Sequence, residues 1–195
     1  MNSTASNTRR NVGLLSACQA LLITNNSTLI AVNGLAGLAL TPNPSLATLP
    51  VTCWVVGGAV ATMSASQYMR KVGRRAGLIR GASIGIVGAL ICATAVWHGS
   101  FLLLCFGALV FGGFNAFGQY YRFVATEVSP PAFRATAVSL VLAGGLVGGI
   151  VGPTTSRFTV DLIGPHFTGA YLALIVFVLM LRPEGLFGRP AQRRV

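Results

Sequence analysis

One stripe of polar side chains in this chain has the spacing to hold a solute. Asn115, Gln119, Arg122 and Thr126 follow one another at intervals of four, three and four residues. On an α-helix those intervals place all four on one face. Amides both donate and accept hydrogen bonds, and a guanidinium carries a fork of N–H donors. Near a helix end Arg122 could also simply reach toward the membrane surface. Asn115 and Gln119 lie deeper, where such groups either bond to neighbouring helices or line a polar cavity. A second cluster, Asn25 and Asn26 with Thr24, Ser27, Thr28 and Asn33 nearby, interrupts an otherwise apolar run. Consecutive residues point about 100° apart on a helix, so both amides cannot face hydrocarbon without cost. One of the two is expected to face a cavity, the alternative being packing between helices. The chemistry on offer is binding rather than bond breaking.

Patterns for catalysis are missing from the sequence. Its three acids, Glu127, Asp161 and Glu184, are far apart and fall in different loops. There is no GxSxG, HExxH or GxxxxGK[ST] motif, so the chain is not expected to be an enzyme or to hydrolyse ATP itself. Cys18, Cys53, Cys92 and Cys105 all fall inside apolar runs without a CxxC spacing, and read as free thiols packed as small hydrophobes. His98 and His166 fall in separate turns with no second ligand close in sequence. No catalytic residue, metal site or cofactor is expected.

The elements that must position the polar stripe are apolar helices. Hydrophobic residues make up 53% of the chain and charged ones only 9%, against about 25% charged in an average soluble domain. Spans of about 20 apolar residues suit a bilayer. Six are expected, over residues 12–40, 46–69, 78–97, 101–126, 133–158 and 168–181, the last being short. The net charge of +11 does not imply nucleic acid as a partner, because the cations cluster in loops and tails between apolar runs.

The cations also orient the spans. A cation at mid-membrane costs about 2.5–3.5 kcal/mol on insertion scales, and short loops rich in Arg and Lys stay in the cytoplasm. Arg9 and Arg10, the cluster Arg70, Lys71, Arg74, Arg75 and Arg80, then Arg134, and finally Arg182, Arg189, Arg193 and Arg194 fall on one side if there are six spans. The other side holds Arg157, opposed by Asp161. The expected fold is therefore all-α and polytopic, with both termini cytoplasmic. Residues 1–11 and 182–195 form tails, residues 12–181 the six-helix domain, and the lipid of the cell's inner (plasma) membrane is the first partner. In the fifth span, Gly144, Gly148 and Gly152 repeat every four residues, as do Gly145 and Gly149. Such faces let helix backbones approach closely. Pro153, next in the chain, should bend the helix by removing a hydrogen bond.

Three of these features together resemble the major facilitator superfamily. Arg70-Lys71-Val72-Gly73-Arg74-Arg75 resembles the core of that family's D-R-x-G-R-R signature between spans two and three. Lys71, Gly73, Arg74 and Arg75 fit it, while Arg70 stands where the family has an acid and Ser66 where it has a leading glycine. Gly148-Gly149-Ile150-Val151-Gly152-Pro153 is similar to the G-x-x-x-G-P core of the fifth-span signature associated with proton-coupled antiporters. Phe117 to Arg122 and Ser129 to Ala135 resemble the fourth span and following loop of bacterial members. The resemblance covers about residues 10 to 175 and implies transport of a small solute. It implies roles for Asn25, Asn26, Asn115, Gln119 and Arg122 along the substrate path. It assigns the loop Arg70, Lys71, Gly73, Arg74 and Arg75 to conformational gating, where Arg70 reverses the charge of an acid that holds one conformation by contacts across the halves. Gly148, Gly152 and Pro153 would serve packing and bending. The family has twelve spans in two halves with substrate held between them. This chain is long enough for the first half, so a second six-helix half or a second copy is the implied partner.

The end of the chain resembles another group. Leu181-Arg182-Pro183-Glu184-Gly185-Leu186-Phe187-Gly188-Arg189 is similar to the C-terminal R-P-x-G-L-F-G of branched-chain amino acid permeases of the ABC class. A gene rearrangement would explain it, as would chance in a basic tail. A permease subunit of an ABC importer and a non-transporting fragment are therefore the alternative readings.

Overall fold

A computed structural model describes residues 2–159 and 167–181 of the chain. The described residues form helices α1 (Asn2–Leu40), α2 (Leu49–Val72), α3 (Arg74–Trp97), α4 (Phe101–Gly118), α5 (Tyr121–Glu127), α6 (Arg134–Thr159) and α7 (Thr168–Met180). Single 3₁₀ turns at Pro44–Leu46 and Pro131–Phe133 lead into α2 and α6. Five segments are long and apolar enough to cross a membrane: Arg10–Leu40, Pro44–Val72, Arg74–Trp97, Phe101–Glu127 and Pro131–Thr159. The protein is all-α and of polytopic membrane type. The 13 residues of α7 rise only about 20 Å, short of a hydrocarbon core of about 30 Å.

The helix limits differ from the expected spans in two informative places. α1 begins at Asn2, so residues 2–11 extend the first helix rather than standing apart from it. The fourth span is two helices, not one, with its break at Gln119 and Tyr120. There the amide of Tyr120 bonds to the carbonyl of Phe117 at 3.2 Å and that of Phe123 to Tyr120 at 3.0 Å, both three residues back. Such tightening is 3₁₀ geometry in mid-span, and it falls in the middle of the polar stripe. The link around Asp161 and His166, and the tail with Arg182, Glu184, Arg189, Arg193 and Arg194, lie outside the described residues.

Turn chemistry is local. Gly73 alone separates α2 from α3, with φ of 95°, a conformation that L side chains rarely adopt. The expected basic loop is thus two helix ends. Arg70 and Lys71 occupy the last turn of α2, where the helix dipole favours cations, and Arg74 and Arg75 open α3, where it does not. Asn43 and Ser100 cap the starts of the next elements by accepting from the amides of Ser45 and Leu103.

Small residues set the packing. α6 runs along α1, α4 lies against α2 and α3, and α7 joins α3 and α1. A Cβ placed on Gly144, Gly148 or Gly152 would stand 2.4 Å from the Ser16 carbonyl oxygen, 2.1 Å from that of Ala20, or 2.5 Å from the Ser27 Cβ. Those three glycines therefore bring α6 into backbone contact with α1. Gly57 on the Leu109 carbonyl and Gly112 on the Trp54 carbonyl do the same for α2 and α4. On α3, Gly81, Gly85 and Gly88 receive Phe117, Phe114 and Phe111 of α4. The pairing of first with fifth span, second with fourth and third with sixth is unchanged when the first three spans exchange with the last three. That is the contact pattern of two inverted three-helix repeats. α6 continues through Pro153 without ending.

Of the two glycine ladders of α6 only the one through Gly144, Gly148 and Gly152 is tight, which separates packing from composition. Gly149 has Ile23 Cγ2 at 3.8 Å as its nearest neighbour. Gly148→Ala should lower stability by about 1–3 kcal/mol through overpacking. Gly149→Ala should stay within about 0.5 kcal/mol. Thermal unfolding midpoints of the two variants in detergent check this, and equal losses would contradict it.

Candidate functional site

The polar stripe of the fourth span meets α1 at Asn26. The Asn26 Nδ2 donates to Asn115 Oδ1 at 2.8 Å, and Gln119 Nε2 donates to the same oxygen at 3.1 Å. Arg122 donates through Nη2 to Gln119 Oε1 and through Nε to the Gln119 carbonyl at 3.3 Å. The result is a seam of four side chains from α1 across α4 to α5. Asn26 is buried, whereas Asn115, Gln119 and Arg122 are half-buried. Thr126 shares the face but bonds the Phe123 carbonyl of its own helix at 2.7 Å.

The adjacent amides of α1 separate, as a 100° step requires. Asn25 is fully buried and turns toward α7, donating to the Leu174 carbonyl at 3.2 Å. It is not part of the seam. Asn33 also faces α7, accepting from the Tyr171 hydroxyl at 2.6 Å. Thr28 donates to the carbonyls of Thr24 at 2.8 Å and Gly152 at 2.9 Å, tying α1 to α6. Polar groups in one short stretch of sequence thus serve three different neighbours.

One residue the sequence reading passed over is Gln19. It is buried at 3% exposure, and its Oε1 has no hydrogen-bond partner, like Asn26 Oδ1. An unmade hydrogen bond of this kind costs about 1–3 kcal/mol unless water or a solute completes it. Seven residues separate Gln19 from Asn26, which is two helical turns, so the signal was a shared face rather than a motif. The same face continues through Ile30 to Gly34. There a cavity of about 510 Å³ opens between α1 and α2, lined by Ile30, Gly34, Thr48, Val51, Thr52 and Val55. One face of α1 therefore passes from polar amides to an apolar hollow.

The basic end of the bundle carries its own contacts. Arg74 pairs with Glu127 at 2.5 Å and lies 5.4 Å from the Tyr120 ring centre. It joins the start of α3 to the end of α5, next to the seam. Both partners of the ion pair are solvated, so the pair is worth at most about 1 kcal/mol in stability. Arg80 covers the Tyr68 ring at 4.5 Å. Arg70, Lys71 and Arg75 are exposed.

These features define a class: an α-helical membrane protein of several spans, packed through glycine, with a polar seam inside it. A profile of the Major Facilitator Superfamily matches residues 15–194, and the chain belongs to that superfamily. It is 38% identical over 176 residues to a riboflavin transporter, RfnT, of Brucella anthropi. It is 29% and 28% identical to two uncharacterised MFS-type transporters of Bacillus subtilis, YddS and YdeG. These alignments cover 90%, 81% and 80% of the chain but only 44%, 39% and 39% of the relatives. The chain thus spans less than half the length of the curated relatives it matches.

The Asn26–Asn115 contact makes a measurable claim. Asn115→Leu leaves the buried Asn26 amide without its acceptor and should cost about 1–3 kcal/mol. Adding Asn26→Leu removes the stranded group and should restore at least half of that loss. Unfolding midpoints of the single and double variants in detergent form the test, and simple additivity of the two losses would contradict the contact.

Proposed function

We propose that the chain is one six-helix half of a facilitator-type secondary transporter in the plasma membrane, with its basic end in the cytoplasm. It moves a small solute by rocking against a second six-helix half, which is a further stretch of polypeptide or a second copy. The observation that carries this reading is the seam Asn26–Asn115–Gln119–Arg122, polar, only half covered, and continuous with apolar spans on every side. The exposed apolar faces of α2 (Val55, Val56, Val60, Met63) and α6 (Leu146, Val147, Ile150, Val151) suit lipid or the second half.

The solute in this reading is riboflavin or a close analogue. The relative named as a riboflavin transporter supports it, and so does the shape of the α1 face. A flat ring system fits an apolar hollow, and its carbonyl and imide edge fits amides that both donate and accept. Arg74 and Glu127 form the gate, holding α3 to α5 in one conformation, and Arg70 contributes a charge opposite to the family's acid at that gate. Gly148 and Gly152 hold α6 on α1 while Pro153 weakens the helix locally. Proton-coupled antiport is the mode suggested by the fifth-span signature.

Radiolabelled riboflavin tests the reading. The full chain in proteoliposomes, at a protein density that lets copies pair, should take it up saturably, and nanodisc-held chain should bind it. Gln119→Leu should reduce both at least about tenfold, which is about 1.4 kcal/mol. Binding and uptake no greater than those of protein-free lipid would overturn riboflavin as the solute.

A further inference from the structure

Arg122 is a cation whose partners are all neutral. It donates to the side-chain oxygen and to the carbonyl of Gln119, and both acceptors are uncharged. Two of its five N–H groups are used, so three remain. Its side chain reaches back along its helix toward Gln119 and Asn115, away from the end where Glu127 and the other cations gather. Glu127 is the only carboxylate among the described residues, and it is taken by Arg74 at 2.5 Å. A half-buried guanidinium without a counter-charge is costly in a membrane span.

The rest of the seam has the same bias. Asn115 Oδ1 already accepts from two amides, and Gln119 Oε1 accepts from Arg122. Both oxygens on the open side are therefore engaged, Asn115 Oδ1 at both of its lone pairs and Gln119 Oε1 at one of two. What remains there is mainly N–H: the free donors of Arg122, the Asn115 amide beside Gly58, and the second N–H of Gln119, against one lone pair of Gln119 Oε1. Among the seam's own four side chains, the acceptor with no partner at all is Asn26 Oδ1, and it is sealed from solvent. A site of donors around one uncompensated cation complements an anion.

We infer that Arg122 is the receptor for an anionic oxygen, a carboxylate or phosphate, which rides on the solute or enters the seam beside it as a co-bound inorganic ion. Asn115 and Gln119 orient that oxygen. This deepens the proposed function, since it rests on the seam being open to a solute path, but it does not depend on the solute being riboflavin. The charge balance it implies is simple. The path carries one net positive charge when empty and is neutral when a monoanion is bound.

The test reads local potential directly. In the full chain with its four cysteines replaced by serine, Asn115→Cys is placed in neutral-lipid nanodiscs. It is labelled in parallel with a sulfonate-bearing and a trimethylammonium-bearing methanethiosulfonate. The anionic reagent should react at least about tenfold faster relative to the cationic one than the pair does with a free thiol, since opposite charges a few ångströms apart interact strongly in a partly desolvated site. Arg122→Gln should abolish that preference, and Arg122→Lys should keep most of it. Millimolar inorganic phosphate should slow the anionic reagent in the parent and not in Arg122→Gln. A preference unchanged by Arg122→Gln, a preference for the cationic reagent, or no labelling at all would overturn the inference. Slowing by anionic phosphatidylglycerol in the disc, but not by phosphate, would assign Arg122 to a lipid headgroup and overturn it too. Failure of riboflavin to bind would leave these rates untouched and bears only on the solute. A co-bound ion and a charge on the solute separate in one further arm. If phosphate raises riboflavin binding the ion enters separately, whereas if riboflavin 5′-phosphate binds at least about tenfold better than riboflavin the charge rides on the solute.

Discussion

Side chains that can hydrogen-bond are expensive in a bilayer unless the protein itself completes them. The contact between Asn26 of α1 and Asn115 of α4 is where this chain meets that demand across its interior. Gln119 and Arg122 follow from it in turn, because Gln119 donates to the same Asn115 oxygen and Arg122 donates to Gln119. The local 3₁₀ tightening at Gln119 and Tyr120 falls on the same seam. A straight α-helix would keep the stripe on one face. In the tightened turn residues three apart eclipse, which sets Arg122 over Gln119.

That contact requires helices held close, and glycine supplies the closeness. α6 lies on α1 through Gly144, Gly148 and Gly152, and α4 lies on α2 and α3 through glycines on all three helices. The two tight pairs are equivalent under the exchange of the first three spans with the last three. Each repeat thus contributes one helix to the seam and one to the flank, and the flanking α2 and α6 are the spans least buried in the bundle. Their apolar outer faces are available to lipid or to a second half, while the seam stays between them.

Much of this was legible from residue types, and the exceptions have physical causes. Apolar runs marked the spans because lipid leaves helices few alternatives. The four-residue spacing of Asn115, Gln119 and Arg122 marked the stripe because it is a helical period. The break at Gln119 was hard to read, since its one local sign is Gly118 just before it, and a single glycine inside an apolar run of a chain with 24 glycines does not mark a helix end. Asn25 and Asn26 were grouped because they are neighbours in sequence, yet the helical step sends one to α7 and the other to α4. Gln19 was passed over because an isolated polar residue two turns away looks unremarkable until the face it shares is seen. The basic segment Arg70 to Arg75 read as a loop, whereas a single glycine with positive φ makes it two helix ends. That change of geometry is what lets Arg74 reach Glu127.

The seam exists only if Asn26, and not Asn25, is the amide of α1 that faces the fourth span. The direct measurement is oxidative cross-linking of paired cysteines in native membranes, in a background without the four natural thiols. Asn26→Cys with Asn115→Cys should form a disulfide rapidly, and Asn25→Cys with Asn115→Cys should not. Equal or preferential cross-linking from position 25, or none from position 26, would contradict the seam on which the fold's interior and its proposed path are built.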